Sequence, residues 1–252
     1  MVVGHELGFL STGESAMSIK GEVVFVTGAS RGLGLAFVRE AVARGAAKVY
    51  AGVRNPDNFN EPGVTPVKLD VTDSRSVADA ARIAADTTVL VNNAGIAEVT
   101  SAPFSEDVAE QARRFFETNY YGVMRVTAAF QPSLPKDGTG AIINVLSDAT
   151  WRVVPFLAPY AASKAAAWSY TNNIRAVLAE EHIRVLALHV GVMDTDLTRA
   201  FDVPKSDPAD VVRQTYDALE AGESEILADE QTRALKQTLS AKNSAYIDPT
   251  VA

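Results

Sequence analysis

A strand that runs directly into a glycine-rich turn and then a helix, EVVFVTGASRGLGL over residues 22–35, restricts this chain more than any other stretch. Val23, Val24, Phe25 and Val26 form an unbroken apolar run of the kind that parallel sheets bury on both faces. Gly28, Gly32 and Gly34 then allow a tight turn, close approach of backbone to a pyrophosphate, and close packing of helix on strand. The helix start offers amide donors to an anion. Parallel strands need helical crossovers, and the remaining sequence supplies them. Short Val/Ile/Leu-rich runs at 48–52, 64–69, 89–92, 141–146, 183–189 and 225–228 alternate with Ala-rich helical stretches. This predicts an α/β fold: one parallel sheet of about seven strands, with helices on both faces.

A second constellation points to proton chemistry. Tyr160 and Lys164 stand four residues apart in PYAASKAAAW, residues 159–168. On a helix that spacing stacks a phenol and an ammonium on one face. A free tyrosine has a pKa of about 10 and is a poor base at neutral pH, but a cation beside it favours the phenolate. Pro159 suits the first helical turn, so Tyr160 is expected near the positive end of the helix dipole, which acts in the same direction. The apolar runs at 89–92 and 141–146 end in small polar residues, Asn92 and Asn93 in one and Ser147 in the other. Open parallel sheets bind ligands at such strand ends.

These motifs stand in a recognisable order: Thr27-Gly28 with Gly32 and Gly34, Asn92-Asn93-Ala94-Gly95, Asn119 inside a long helix, Ser147, and Tyr160 with Lys164. In that order the chain resembles the short-chain dehydrogenase/reductase (SDR) superfamily, and specifically an NADP-preferring, carbonyl reductase-like member, from about residue 20 to about residue 229. Ser147 precedes Tyr160 by 13 residues, the interval the family uses to bring the two hydroxyls together. The resemblance implies a single Rossmann-type, doubly wound sheet and hydride transfer between a nicotinamide and a carbonyl or alcohol carbon. It implies that Tyr160 exchanges a proton with the substrate oxygen and that Ser147 stabilises charge developing there. Lys164 would bind the nicotinamide ribose and hold down the pKa of Tyr160. Asn119 would hold a water linking Lys164 to solvent; an asparagine at that place also has backbone carbonyls to bond.

The resemblance extends to the cofactor. After the strand at 48–52, an NAD enzyme would carry an acidic residue against the adenosine ribose; here Val53 is followed by Arg54. A guanidinium matches a phosphate dianion bidentately, and Arg31 offers a second cation, so NADP(H) is expected. The expected contacts are Gly28, Ser30, Arg31, Gly32, Leu33 and Gly34 in the turn, Arg54, Asp70 and Val71 beyond the second and third strands, and Asn93, Ala94 and Gly95 beneath the cofactor. Tyr160, Lys164, Val192 and Thr195 complete the set. One departure stands out: Val190 occupies the place of the family's usual proline after the sixth strand. Losing a fixed φ is expected to loosen that loop. His189 beside it continues an apolar strand, and the proton chemistry is already assigned.

The chain has 252 residues, a net charge of −8, three histidines and no cysteine. Nucleic acid is excluded as a partner because no basic stripe is available to neutralise phosphates. Disulfides, thiolate metal sites and cysteine nucleophiles are excluded together, and no metal site is expected. No apolar run approaches the roughly twenty residues of a membrane span, and residues 1–16 lack the features of a secretory signal. A cytoplasmic location is expected, with residues 1–16 as an N-terminal extension and residues 17–252 as one SDR-type cofactor-binding and catalytic domain.

Trp151, Val153, Val154 and Phe156, with Met193, Leu197 and Phe201, are expected to line the open end of the cofactor cleft and favour an apolar or aromatic carbonyl substrate. The small and apolar residues of the helix at 161–181 exceed one core-facing stripe. The resemblance implies a dimer or tetramer through the two long helices that carry Asn119 and Tyr160. This second apolar surface fits such pairing and the C-terminal segment weakens the case for a tetramer, so a homodimer is expected. Two rivals remain at this stage. One is an epimerase or dehydratase using the same residues without net redox chemistry; the other is a non-catalytic NADP-binding regulator.

Overall fold

The computed structural model describes residues 17–99, 103–193 and 205–250. The expected N-terminal extension lies outside them. The apolar runs form β1 (Val23–Thr27), β2 (Lys48–Val53), β3 (Val64–Lys68), β4 (Val89–Asn92), β5 (Ala141–Val145), β6 (Arg184–His189) and β7 (Glu225–Leu227). They make one seven-stranded sheet in the order β3-β2-β1-β4-β5-β6-β7, and every pairing is parallel. Pro66 has no N–H to donate, and it sits in β3 at the sheet edge, where the missing donor is tolerated.

The period-two alternation of the strands divides the core into two layers. Val24 and Val26 of β1 point to one face with Val89 and Val91 of β4 and Ala141 and Ile143 of β5; α1 (Gly32–Ala43) and α6 (Pro208–Glu220) cover that face through Phe37, Val38, Val212 and Tyr216. Phe25, Leu90 and Ile142 point the other way, against Val77 and Ala80 of α2 (Ser74–Ile83), Val126 and Phe130 of α4 (Gly122–Phe130) and Leu178 of α5 (Ala158–Ala179). Burial on both faces is why the strands read as continuous apolar runs. The remaining helices are α3 (Val108–Phe116) and α7 (Glu230–Thr238). Among the described residues, no helix is long and apolar enough to cross a membrane.

Helix starts follow local chemistry. Asp73, Asp207 and Asp229 each accept a backbone N–H at the N-termini of α2, α6 and α7. A buried amide ladder ties the second layer to the sheet: the Asn92 amide donates to Asn144 Oδ1 at 2.9 Å and Thr127 Oγ1 at 3.0 Å, and the Asn144 amide donates to Thr171 Oγ1 at 3.0 Å. Left unpaired in this interior, each group would cost about 1–3 kcal/mol. The ladder sets the register of α4 and α5 on β4 and β5.

One expected element differs. The long helix around Asn119 is α3 and α4 joined by a π-helical turn, Glu117–Tyr121. The turn carries Asn119, fully buried, against Ile96 in the loop after β4 and Ser163 of α5.

Candidate active site

The glycine turn is closed to larger side chains. A Cβ on Gly34 would lie 2.3 Å from the Gly28 carbonyl oxygen and 2.5 Å from Asn93 Nδ2. Gly28 itself holds φ +66°, a conformation that favours glycine. Asn93 clamps the turn, its amide donating to the carbonyls of Thr27 at 2.9 Å and Gly28 at 3.2 Å. Thr27 Oγ1 accepts from the backbone of Asn93 and Ala94 at 3.0 and 2.9 Å. Asn93 is thus a strut of the turn as well as a floor beneath the cleft. Helix α1 begins after Arg31 in extended conformation, with no side-chain cap and no acidic residue in its first turn. Its first amides are left for an anion, where the helix dipole favours negative charge.

Gly28, Ser30, Arg31, Gly32, Leu33, Gly34, Arg54, Asp70, Val71, Asn93, Ala94 and Gly95 line one cleft of about 490 Å³, joined by Met193. Arg31 and Arg54 are exposed at its rim. Asp70 Oδ1 accepts from the hydroxyl and the backbone N–H of Thr72, at 2.7 and 2.9 Å. The Thr72 hydroxyl, with smaller help from its backbone and from the Arg54 charge, holds the Asp70 carboxyl below the usual range. An uncapped helix start, a cradle that a Cβ would fill and two arginines beyond β1 and β2 fit a dinucleotide bearing a 2′-phosphate. Val192 borders the loop after β6, its carbonyl accepting from Ser206 at 2.9 Å. Thr195, Leu197 and Phe201 lie outside the described residues.

The side chains of Ser147, Tyr160 and Lys164 come together near the end of β5. Pro159 stands in the first turn of α5, which places Tyr160 at the helix start. Its ring packs edge-on to Phe115 at 6.3 Å. Lys164, one turn later, is buried and donates to the Val145 carbonyl at 2.8 Å. Gly95, Asn119 and Lys164 are neighbours: a Cβ on Gly95 would sit 3.3 Å from Asn119 Oδ1 and 3.7 Å from Lys164 Nζ. The Asn119 amide donates to the Ile96 carbonyl at 2.9 Å and to Ser163 Oγ at 3.0 Å, and its oxygen accepts from Ile96 N at 2.8 Å. With both amide protons committed, a relay water at this place would have to use main-chain carbonyls.

Three expectations need correction. Lys164 does not draw the Tyr160 phenol down: Lys164 Nζ lies 5.9 Å from the ring centre, turned to Val145. Burial pushes Tyr160 up to about 12, against an opposing hydrogen bond with Ser147 and with added repulsion from Asp148. Burial likewise pushes Lys164 down to about 8. Desolvation outweighs the pairing because the cation and the phenol are not in direct contact. Trp151 and Val154 are buried, so neither forms an open substrate wall, whereas Val153 and Phe156 are exposed. Trp151 stacks on the His189 imidazole at 3.9 Å, and the Lys236 ammonium of α7 lies 4.9 Å from its ring centre. Burial drives His189 down to about 3, which keeps it neutral.

The described start of the loop after β6 is tied down despite Val190. The Val190 carbonyl accepts from Asp148 N at 3.1 Å, and Gly191 N donates to Asp229 Oδ2 at 2.7 Å. Asp229 does by hydrogen bonding what a proline would do by ring closure. Sequence reasoning missed Asp148 and Asp229; the signal available for Asp148 was an acid placed directly after Ser147 at an apolar strand end. Among the described residues, no group of three or more His, Asp or Glu side chains could hold a metal ion.

Comparison with known proteins agrees with this architecture. An uncharacterized oxidoreductase of Schizosaccharomyces pombe is 32% identical over 201 residues, 72% of this chain and 77% of that protein. The NADPH-dependent 1-acyldihydroxyacetone phosphate reductase of the same yeast is 34% identical over 184 residues, 69% of this chain and 60% of that protein. A crystal structure of a short chain dehydrogenase from Burkholderia cenocepacia J2315 in complex with NADP superposes with a TM-score of 0.84 at 40% identity, covering 90% of this chain and 95% of that one. The family model of the short chain dehydrogenases matches residues 22–205. The chain belongs to the short-chain dehydrogenase family.

Proposed function

We propose that this protein is an NADP(H)-dependent oxidoreductase that reduces a ketone or aldehyde, or oxidises the corresponding alcohol, with Ser147, Tyr160 and Lys164 as its reacting residues. The observation that carries this reading is the meeting of those three side chains at the end of β5, beside a cleft with an uncapped helix start and two arginines. A bound nicotinamide supplies or accepts the hydride. Tyr160, protonated across the neutral range, gives its proton to the oxygen of a carbonyl as charge builds there. Ser147 hydrogen-bonds the same oxygen. Lys164 holds the nicotinamide ribose, and Gly95 leaves room for it. Val153 and Phe156 are exposed beyond Ser147 and Met193 lines the cleft, a surface suited to an apolar or aromatic carbonyl.

The test is loss of reduced-nicotinamide absorbance with NADPH and with NADH across a panel of aryl and alkyl ketones and aldehydes. Oxidation of NADPH coupled to alcohol formation supports the reading. Substrate conversion without net NADPH loss marks epimerisation or dehydration, and binding without turnover marks a regulator. Arg54→Ala is expected to weaken NADPH by about 1.5–3 kcal/mol, roughly 10- to 150-fold, while leaving NADH little changed. Equal losses for both cofactors would remove Arg54 from the phosphate site. Val53→Asp with Arg54→Ala should turn preference toward NADH, since a carboxylate accepts from a ribose hydroxyl and repels a phosphate.

The reading includes a cytoplasmic homodimer. Val177 of α5 is 62% exposed and Tyr121 beside α4 is 44% exposed, apolar surface on the two helices that carry the site. Light scattering at micromolar concentration is expected to give twice the chain mass, and a strictly monomeric mass would refute the pairing.

A further inference from the structure

Ser147 is not free to serve a substrate oxygen as it stands. Its hydroxyl donates to Asp148 Oδ1 at 3.2 Å and accepts from Ala149 N at 3.1 Å. A serine has one proton to give, and Asp148 Oδ1 competes for it with the Tyr160 phenol oxygen, which also hydrogen-bonds Ser147. Asp148 is 3% exposed. Its other oxygen lies 3.0 Å from Arg152 Nε, in a geometry that does not complete a hydrogen bond. On its far side stands Asp229, from the turn into α7: a Cβ on Gly191 would be 3.4 Å from Oδ2 of both acids. Asp229 is held by Gly191 N at 2.7 Å and by Thr232 N and Oγ1 at 2.8 Å each. The charged and titratable groups facing Asp148 are therefore Arg152 from its own loop, Asp229 from the α7 turn and the Tyr160 phenol from α5.

We propose that Asp148 is a positioning residue that sets the direction of the Ser147 hydroxyl: ionised, it holds the serine proton; protonated, it donates to Ser147 Oγ and releases that proton to the substrate carbonyl. This rests on the carbonyl-reduction reading above. The proton count closes, because Asp148 takes one proton from solvent and passes none to product; Tyr160 still supplies the proton that ends on the alcohol. Burial raises the Asp148 carboxyl above its ordinary range, with Arg152 opposing and Asp229 assisting, which favours the protonated form. An ionised Asp148 also makes Tyr160 a weaker acid. Both effects favour reduction on the acid side.

The test requires an enzyme first shown to reduce a ketone with NADPH; failure of that assay overturns the functional reading and not this one. With cofactor saturating, kcat/KM for reduction is measured from about pH 4.5 to 8.5. In the wild type it is expected to decline on the alkaline side of the Asp148 ionisation, approaching tenfold per pH unit. Asp148→Asn supplies a permanent amide donor to Ser147 Oγ, and its profile should lack that decline. Arg152→Gln leaves Asp148 intact, removes the cation that favours its ionised form, and should move the decline to higher pH. An Asp148→Asn profile parallel to wild type, or an Arg152→Gln profile that does not move, overturns the proposal. Should Asp148→Asn fail to fold, the Arg152→Gln shift decides alone.

Discussion

Replacing Tyr160 by phenylalanine is expected to leave NADPH affinity within about twofold and to lower kcat/KM for ketone reduction by about 10²- to 10⁴-fold, the range that a positioned acid contributes. Phenylalanine keeps the ring against Phe115, where the two rings meet edge-on at 76°, so the start of α5 has no reason to move. What disappears is the group to which the proposed mechanism assigns the proton transfer. Burial pushes that phenol up to about 12, so it stays protonated throughout the neutral range. The site is thereby poised as an acid, and reduction needs no prior deprotonation of Tyr160. Alcohol oxidation needs the phenolate, so its rate in the wild type should climb as pH rises from about 7 to 10 and the climb should be absent in Tyr160→Phe. Stopped-flow or steady-state absorbance of the nicotinamide measures both, and cofactor fluorescence titration measures binding. Turnover near the wild-type rate in Tyr160→Phe would remove Tyr160 from the chemistry.

What the sequence disclosed follows physical range. The glycine turn was legible because Gly28 and Gly34 answer to neighbours that are local or one strand away, and the pattern of strand, turn and helix is written in a contiguous segment. The two-layer sheet was legible because burial on both faces leaves runs such as 23–26 with no polar residue. Tyr160 and Lys164 were legible as a helical pair, but their electrostatics were not. The sign of the Tyr160 shift depends on where Lys164 Nζ points, and the Val145 carbonyl that takes it belongs to another element. Trp151 was misplaced for the same reason: its burial comes from His189 and Lys236, 38 and 85 residues further along. The π-helical turn at Glu117–Tyr121 left no trace in the sequence, since one extra residue in a helix preserves composition and disturbs the apolar period by less than a turn. Asp148 was visible as a residue, but its meaning depends on Arg152, Asp229 and Gly191 closing around it.

Replacing Lys164 by methionine should separate stability from function. Methionine fills much of the same volume without charge, so NADPH affinity and reduction rate are both expected to fall, because the ribose contact that would hold the nicotinamide in place is lost. The apo protein carries the diagnostic signature. Burial lowers the folded pKa of Lys164 from 10.5 to about 8, so the unfolded chain binds its proton more tightly than the folded one does. Below pH 8 the fold bears the cost of a buried ammonium, on the order of 3 kcal/mol from the shift. That cost fades as pH rises from about 8 to 10.5, where the folded protein has already released the proton and the unfolded chain has not. Wild-type stability relative to Lys164→Met should therefore increase across this window by up to about 3 kcal/mol, several degrees in Tm for a chain of this size. Comparing two proteins that differ at one residue cancels the titration of every other group to first order. The carbonyl of Val145, left without its donor in the variant, lowers the variant by a constant amount and leaves the pH dependence untouched. Parallel Tm curves for the two proteins from pH 7 to 10.5 would show that Lys164 is not a desolvated ammonium, and its assignment as the buried cation of the site would fall with that result.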